Sequence, residues 1–114
     1  MSDCIFCKII NGEIPSSKLY EDDKVLAFRD IEPQAPQHII IIPKQHIASA
    51  NEISAENEEI IGKVFVVAAK LARELGFDNS GYRIVNNCGA DGGQTVKHLH
   101  FHLLAGRGLQ WPPG

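Results

Sequence analysis

His98, His100 and His102 alternate with Leu99, Phe101 and Leu103 near the end of the chain, and they are three of its five histidines. Residues i, i+2 and i+4 of a strand share one face, so the pattern predicts a β-strand over 98–104 with three imidazoles on one side. At a rise of about 3.3 Å per residue the rings would stand roughly 6 to 7 Å apart. Lining up three titratable rings costs burial, so packing alone is a poor reason for the pattern. Two chemistries use histidines this way. Three imidazoles can hold a catalytic zinc with one position open for water. Alternatively, one neutral ring is a nucleophile and its neighbours donate to a charged transition state. The preceding loop, Asn87 to Thr95, has three glycines between 89 and 93 that let backbone amides approach an anion. Gln94 and Thr95 follow at the mouth of the strand. These donors suit phosphate oxygens and favour the nucleophile; on the residues alone the metal route stays open.

The remaining elements must hold that strand. Apolar residues Ile5, Phe6, Ile9 and Ile10 ending at Gly12 predict a short helix over 4–11, a plug over the sheet or a wall of an apolar slot. Strands are expected at 19–21 and 25–30, joined by an Asp22-Asp23 turn. After a proline-marked loop, His38-Ile39-Ile40-Ile41-Ile42-Pro43 reads as a central strand buried on both faces, with His38 either packed in the core or part of the site. Ser54 is expected to cap one long helix, with Glu56, Glu58 and Glu59 near its positive end and Gly76 as its stop. Its apolar stripe is wide enough, with Phe65 and Val66, to suggest a partner subunit or a fuller core. A last strand is expected at 82–87, and the tail Trp111-Pro112-Pro113-Gly114 is expected to dock on a surface. The order predicts an α+β fold, a roughly five-stranded antiparallel sheet with helices on one side, in a single domain over 1–114.

Composition narrows the function. The chain has 114 residues and a net charge of −3, with no basic cluster, so a nucleic-acid polymer is not an expected partner while a small anionic ligand is. No run is long enough to span a membrane and no signal-peptide order is visible, so no membrane partner is expected. Two of the three cysteines form Cys4-x-x-Cys7, a metal or redox pair of the kind found in cytoplasmic proteins.

The run His98 to Leu104 resembles the motif of the histidine triad (HIT) superfamily. The likeness extends through Ile5-Phe6-x-Lys8-Ile9-Ile10, Phe28-x-Asp30-Ile31-x-Pro33-Gln34-Ala35-Pro36-x-His38, Ile42-Pro43-Lys44-x-His46-Ile47, Asp91-Gly92-Gly93-Gln94 and the Trp-Pro-Pro-Gly tail. Together these resemble the histidine triad nucleotide-binding branch over nearly the whole chain. The resemblance implies a HIT-like fold whose sheet extends across a homodimer. It implies a purine nucleoside phosphoramidase that cleaves adenosine 5′-phosphoramidates and aminoacyl-adenylates without a catalytic cofactor. His100 would attack the α-phosphorus to form a nucleotidyl-histidine, and His102 would donate to phosphate oxygens. His98 and His38 would orient the working rings, and Gln94 and Thr95 would hold phosphate oxygens or the leaving group. Gly93 belongs to the same loop, Asp30 would take the ribose hydroxyls, and Asn87 would contact the sugar-phosphate. Ile5, Phe6, Ile9, Phe28 and Ile31 would enclose the base. A histidine at 102, where nucleotidyltransferases carry glutamine, favours hydrolysis, and the tail argues against a dinucleoside polyphosphate hydrolase. A non-catalytic nucleotide-binding module is the competing reading. Thr95 replaces a frequent serine and keeps its hydroxyl; Cys88 stands where some relatives are acidic.

The thiols need a separate account. Cys4 and Cys7 with two imidazoles would complete a tetrahedral structural zinc site, and His46 and His98 are the candidates. Some bacterial-type members of the superfamily resemble this in binding zinc through such a set. The alternative is two thiols on a short helix with no metal.

Overall fold

The structure, a computed structural model, describes residues 3–114. Helix α1 (Ile5–Ile10) is followed by strands β1 (Lys18–Glu21), β2 (Val25–Arg29) and β3 (Gln37–Pro43). A short 3₁₀ turn and helix α2 (Glu58–Leu75) come next, then β4 (Tyr82–Val85) and β5 (Phe101–Ala105). The strands form one antiparallel sheet in the order β1-β2-β3-β5-β4, the expected α+β architecture. The turn between β1 and β2 is built by Asp22, whose Oδ1 accepts from the Lys24 and Val25 amides at 2.7 and 2.9 Å.

The two helices cover opposite faces of this sheet, not one side as the sequence suggested. Val25 and Ala27 of β2, with Ile39 and Ile41 of β3, pack against Val64, Val67, Ala68 and Leu71 of α2. Leu26, Phe28, Ile40 and Ile42 point the other way and meet Phe6 and Ile9 of α1. A strand apolar at every position buries both of its faces, so β3 and β2 each need cover above and below. The isoleucine run of β3 carried this requirement in plain view. Burying its four isoleucines contributes on the order of 6–12 kcal/mol.

Three boundaries differ from expectation. The hydrogen-bonded part of the histidine strand begins only at Phe101; His98 precedes it in a bend and His100 in irregular chain. Pairing with β3 stops at Ile41↔Phe101. Beyond it, Pro43 has no N–H to offer, its carbonyl is taken by the His98 ring at 2.8 Å, and the Leu99 amide donates instead to Ile47 at 2.6 Å. Alternation nevertheless holds, for Leu99, Phe101 and Leu103 enter the α2-facing core. Helix α2 starts at Glu58 with Asn57 as N-cap, because Ser54 is held in the preceding turn. There its amide donates to Asn57 Oδ1 at 2.8 Å, and its hydroxyl accepts from the Glu56 amide at 3.3 Å. Finally, β4 ends at Val85, two residues early, and the Trp111 side chain is 80% exposed, so this chain offers the ring no dock.

α2 ends where expected. Gly76 sits at φ +83°, and its amide donates to the Ala72 carbonyl. A Cβ there would meet nothing within 4 Å, so only the backbone conformation disfavours a side chain. Gly76→Ala should cost about 1–2 kcal/mol, the strain of a left-handed non-glycine residue. Urea denaturation should show a lower midpoint with an unchanged slope.

Candidate active site

Beneath α1, on the face opposite α2, lies a cleft of about 310 Å³. Ile5, Phe6, Ile9, Ile14, Phe28 and Ile40 make it apolar; Asp30, Ile31, Thr95, His100 and His102 also line it. The sheet explains the convergence. Ile40 stands directly across from His102, and His38 from Leu104, so His38 and His102 are diagonal neighbours on one face. Phe6, brought in by α1, sets its ring edge against both His98 and His100, with centroids 5.8 and 5.0 Å apart.

Hydrogen bonds assign the protons. His100 Nδ1 lies 2.6 Å from the carbonyl of His98, so it carries the proton and donates. Nε2 of His100 is left with a free lone pair. His38 Nδ1 accepts from the Gln34 amide at 3.0 Å, which puts the His38 proton on Nε2. That N–H points at His102 Nδ1, 2.8 Å away, with Asp30 Oδ2 at 3.3 Å from the same nitrogen. His102 therefore accepts on Nδ1 and keeps its own proton on Nε2. Burial lowers the pKa of His38, opposed by the Asp30 charge. Burial, then the neighbouring His100 and His38, pushes His102 down to about 4. Both rings are neutral near pH 7. The result is one ring with a lone pair and one with an N–H, their centroids 5.2 Å apart.

His98 does not share this work. Its buried ring donates from Nε2 to the Pro43 carbonyl and turns Nδ1 toward Cys4 Sγ at 3.4 Å, Cys7 Sγ at 3.7 Å and His46 Nδ1 at 3.2 Å. Cys7 Sγ is also 3.4 Å from His46 Nδ1. The four donor atoms all lie within 4.8 Å of one another. Metal–ligand lengths of about 2.0–2.1 Å to nitrogen and 2.3 Å to sulfur give tetrahedron edges of about 3.3–3.8 Å, so the set fits a tetrahedral zinc. The Nε2–H bond to Pro43 fits as well, since it fixes the His98 tautomer that leaves Nδ1 to a metal. In the metal-free chain burial lowers His98, and burial together with Cys4 raises Cys7.

The expected site residues divide. The cleft gathers Ile5, Phe6, Ile9, Phe28, Asp30, Ile31, Thr95, His100 and His102, with His38 behind His102. Asn87, Gly93 and Gln94 are not on its wall. The Gln94 side chain accepts from the Gly89 amide at 3.0 Å and donates to the carbonyls of Ala48 and Val96 at 2.8 and 2.9 Å. The Gly93 and Gln94 amides bond to Ala90 and Gly89. The loop thus closes on itself instead of presenting these amides to an anion, and a Cβ on Gly92 would collide with the Cys88 backbone. Three residues escaped the sequence reading. Asn86 donates to the His100 carbonyl at 2.9 Å, fixing the backbone beside the His100 ring. Ile14 extends the apolar wall. Ser16 also lines the cleft, and its buried hydroxyl has no hydrogen-bond partner among the described residues, a defect that costs about 1–3 kcal/mol. Nothing in the pattern around Ser16 signalled it.

Known proteins share this arrangement. A family model described as the HIT domain matches residues 11–109. The chain is 52% identical over 107 residues to the purine nucleoside phosphoramidase of Escherichia coli K12, covering 94% of this chain and 90% of that one. It is 54% identical over 112 residues to an uncharacterised HIT-like protein of Synechococcus elongatus, covering 98% and 97%. The crystal structure of a HIT family hydrolase from Legionella pneumophila superposes with a TM-score of 0.96 at 50% identity, covering 98% of this chain and 100% of that one. This chain belongs to the HIT domain family.

Proposed function

We propose that the chain is a purine nucleoside phosphoramidase working through a covalent nucleotidyl-histidine. The observation that carries this is the fixed tautomer of His100, whose Nδ1–H is held by the His98 carbonyl at 2.6 Å while the ring lines the cleft. The purine sits between the apolar side chains and Asp30 accepts from the ribose hydroxyls, which places the phosphate between His100 and His102. Nε2 of His100 attacks phosphorus and the P–N bond breaks; the amine leaves at the open mouth by Thr95, taking a proton from solvent. His102 Nε2–H donates to a phosphate oxygen as charge builds there. Water then attacks the phosphorus of the intermediate, releasing the nucleoside monophosphate and restoring His100. Aminoacyl-adenylates react the same way with a carboxylate as leaving group. Phosphate contacts from Gln94, Gly93 or Asn87 would require the loop to open its internal bonds.

The rest of the reading concerns the assembly. Cys4, Cys7, His46 and His98 hold a structural zinc, which supplies cross-linking and no step of the reaction. Two chains form a homodimer, supported by Phe65 and Val66 standing 47% and 61% exposed on α2 and by the free edge of β4. The place of work is the cytoplasm, supported by the free thiols. No described helix is long and apolar enough to cross a membrane.

His100→Ala should abolish hydrolysis of an adenosine 5′-phosphoramidate, a loss of at least about a thousandfold in kcat, as expected when a covalent nucleophile is removed. Rapid-quench mass spectrometry of the unaltered enzyme should find the adenylyl group on His100; full activity in the variant would overturn the mechanism. Metal analysis should find one zinc per chain, lost in Cys7→Ser. Chelation should lower the melting temperature while folded protein continues to turn over, and if chelated, folded protein were inactive the metal would be catalytic.

The pH dependence has a definite sign. Below the ordinary histidine range the unfolded chain protonates His38 and His102, whereas in the folded chain burial holds His38 below that range and His102 down to about 4. Stability should therefore fall as pH drops below that range, because the unfolded state binds more protons. Urea midpoints of chelated protein at pH 7 and pH 5 should show the loss, and His102→Gln, neutral throughout, should reduce it.

A further inference from the structure

The base end of the cleft is lined almost wholly by hydrocarbon. Ile9, Ile14, Phe28 and Ile40 can grip a flat ring from its faces, but they cannot distinguish its polar edge from any other edge. The polar groups of Asp30 and Arg29 already have partners. Asp30 Oδ1 accepts from the Glu32 amide at 2.8 Å and Oδ2 faces His38, while Arg29 donates to Gln37 Oε1 at 2.8 Å. One side chain on this wall is different. Ser16 follows the Ile14-Pro15 corner that leads into β1, and its hydroxyl oxygen is buried without a partner among the described residues.

We infer that Ser16 reads the base: its hydroxyl makes a hydrogen bond with the polar edge of the purine held in the cleft. The inference rests on the reading of this cleft as the base site. An orphaned hydroxyl beside an apolar slot is a defect in the empty protein, and a base edge cures it. A hydroxyl donates to a ring nitrogen or accepts from an exocyclic amine, so it serves any purine edge that carries either. Rotation about one side-chain bond moves the oxygen among three staggered positions, which is enough to turn it from the wall toward a ligand. The serine therefore separates a base from its mere shape, and it acts on binding, not on the phosphorus chemistry at His100.

Ser16→Ala separates this role from a structural one. Affinity for AMP and for ribose 5-phosphate is measured by calorimetry on both proteins, with melting temperatures alongside. The unaltered chain should prefer AMP. In Ser16→Ala affinity for AMP should fall five- to tenfold, the size of one neutral hydrogen bond, while ribose 5-phosphate is unaffected. The melting temperature of the free variant should not fall, since removing an orphaned hydroxyl removes a penalty. Unchanged AMP affinity, or an equal loss for both ligands, would overturn the assignment. If the unaltered chain did not prefer AMP to ribose 5-phosphate, the cleft would not be the base site, and the role of Ser16 would fall with it.

Discussion

The hydrogen bond from the His100 ring to the carbonyl of His98 is the constraint on which the site depends. A backbone carbonyl cannot take up the proton for itself, so it fixes the tautomer without competing for it. The orientation of the reactive ring is then set by where the backbone runs. That backbone is pinned on every side: the Leu99 amide to Ile47, the His100 carbonyl to Asn86, and the His98 ring to Pro43. Preorganisation of this kind puts the cost of orientation into folding and not into each turnover. It also explains why the histidine run leaves the β-ladder before His100. Outside the ladder the His98 carbonyl has no strand amide to share with the ring.

Helix α1 faces a different problem. Six residues fall well below the ~12–15 at which an isolated helix becomes even marginal in water, so its order comes from what it touches. Phe6 and Ile9 bury against the sheet, and Cys4 and Cys7 reach His46 and His98 at its far end. Cys4 also caps the helix, accepting from the Cys7 amide at 3.3 Å. The same short element roofs the cleft and presents Phe6 to the ring of His100. A tie between its thiols and the His98 ring therefore holds the roof and the carbonyl that orients the His100 ring in one rigid unit.

Much of this was legible in residue order. The Asp22 turn and the Gly76 stop act through neighbours close in sequence, and the unbroken isoleucine run of β3 announces burial whatever covers it, so those elements fell where expected. The alternation of His98 to Leu104 gave the correct faces. Its division into one ring for the thiols and two for the cleft was expected from the Cys4-x-x-Cys7 pair and the family resemblance, while the contacts that enforce it, from Phe6 and Pro43, come from distant segments. Ser54 and Asn57 are both good caps, and only the packing of the turn between them chooses. Gln94 beside a glycine loop looks like a phosphate donor until its three bonds to the backbone are counted. Ser16 was invisible for a related reason: an unsatisfied hydroxyl is a property of surroundings, not of sequence.

His102 shows how the cleft manages charge. A cationic imidazole would attract phosphate strongly, but burial beside His100 and His38 makes a second charge there expensive, and its pKa falls to about 4. The ring serves instead as a neutral donor whose N–H direction is fixed by His38 behind it. Asp30 is the compensating element. Its carboxylate lies against His38 and favours positive charge on both His38 and His102, in opposition to their burial. In the proposed reaction, negative charge building on the phosphate oxygens would meet the N–H of His102, with the Asp30 carboxylate on the far side of His38. On that proposal the pair would be matched to a charge that exists only during reaction, not to one that would have to be buried beforehand.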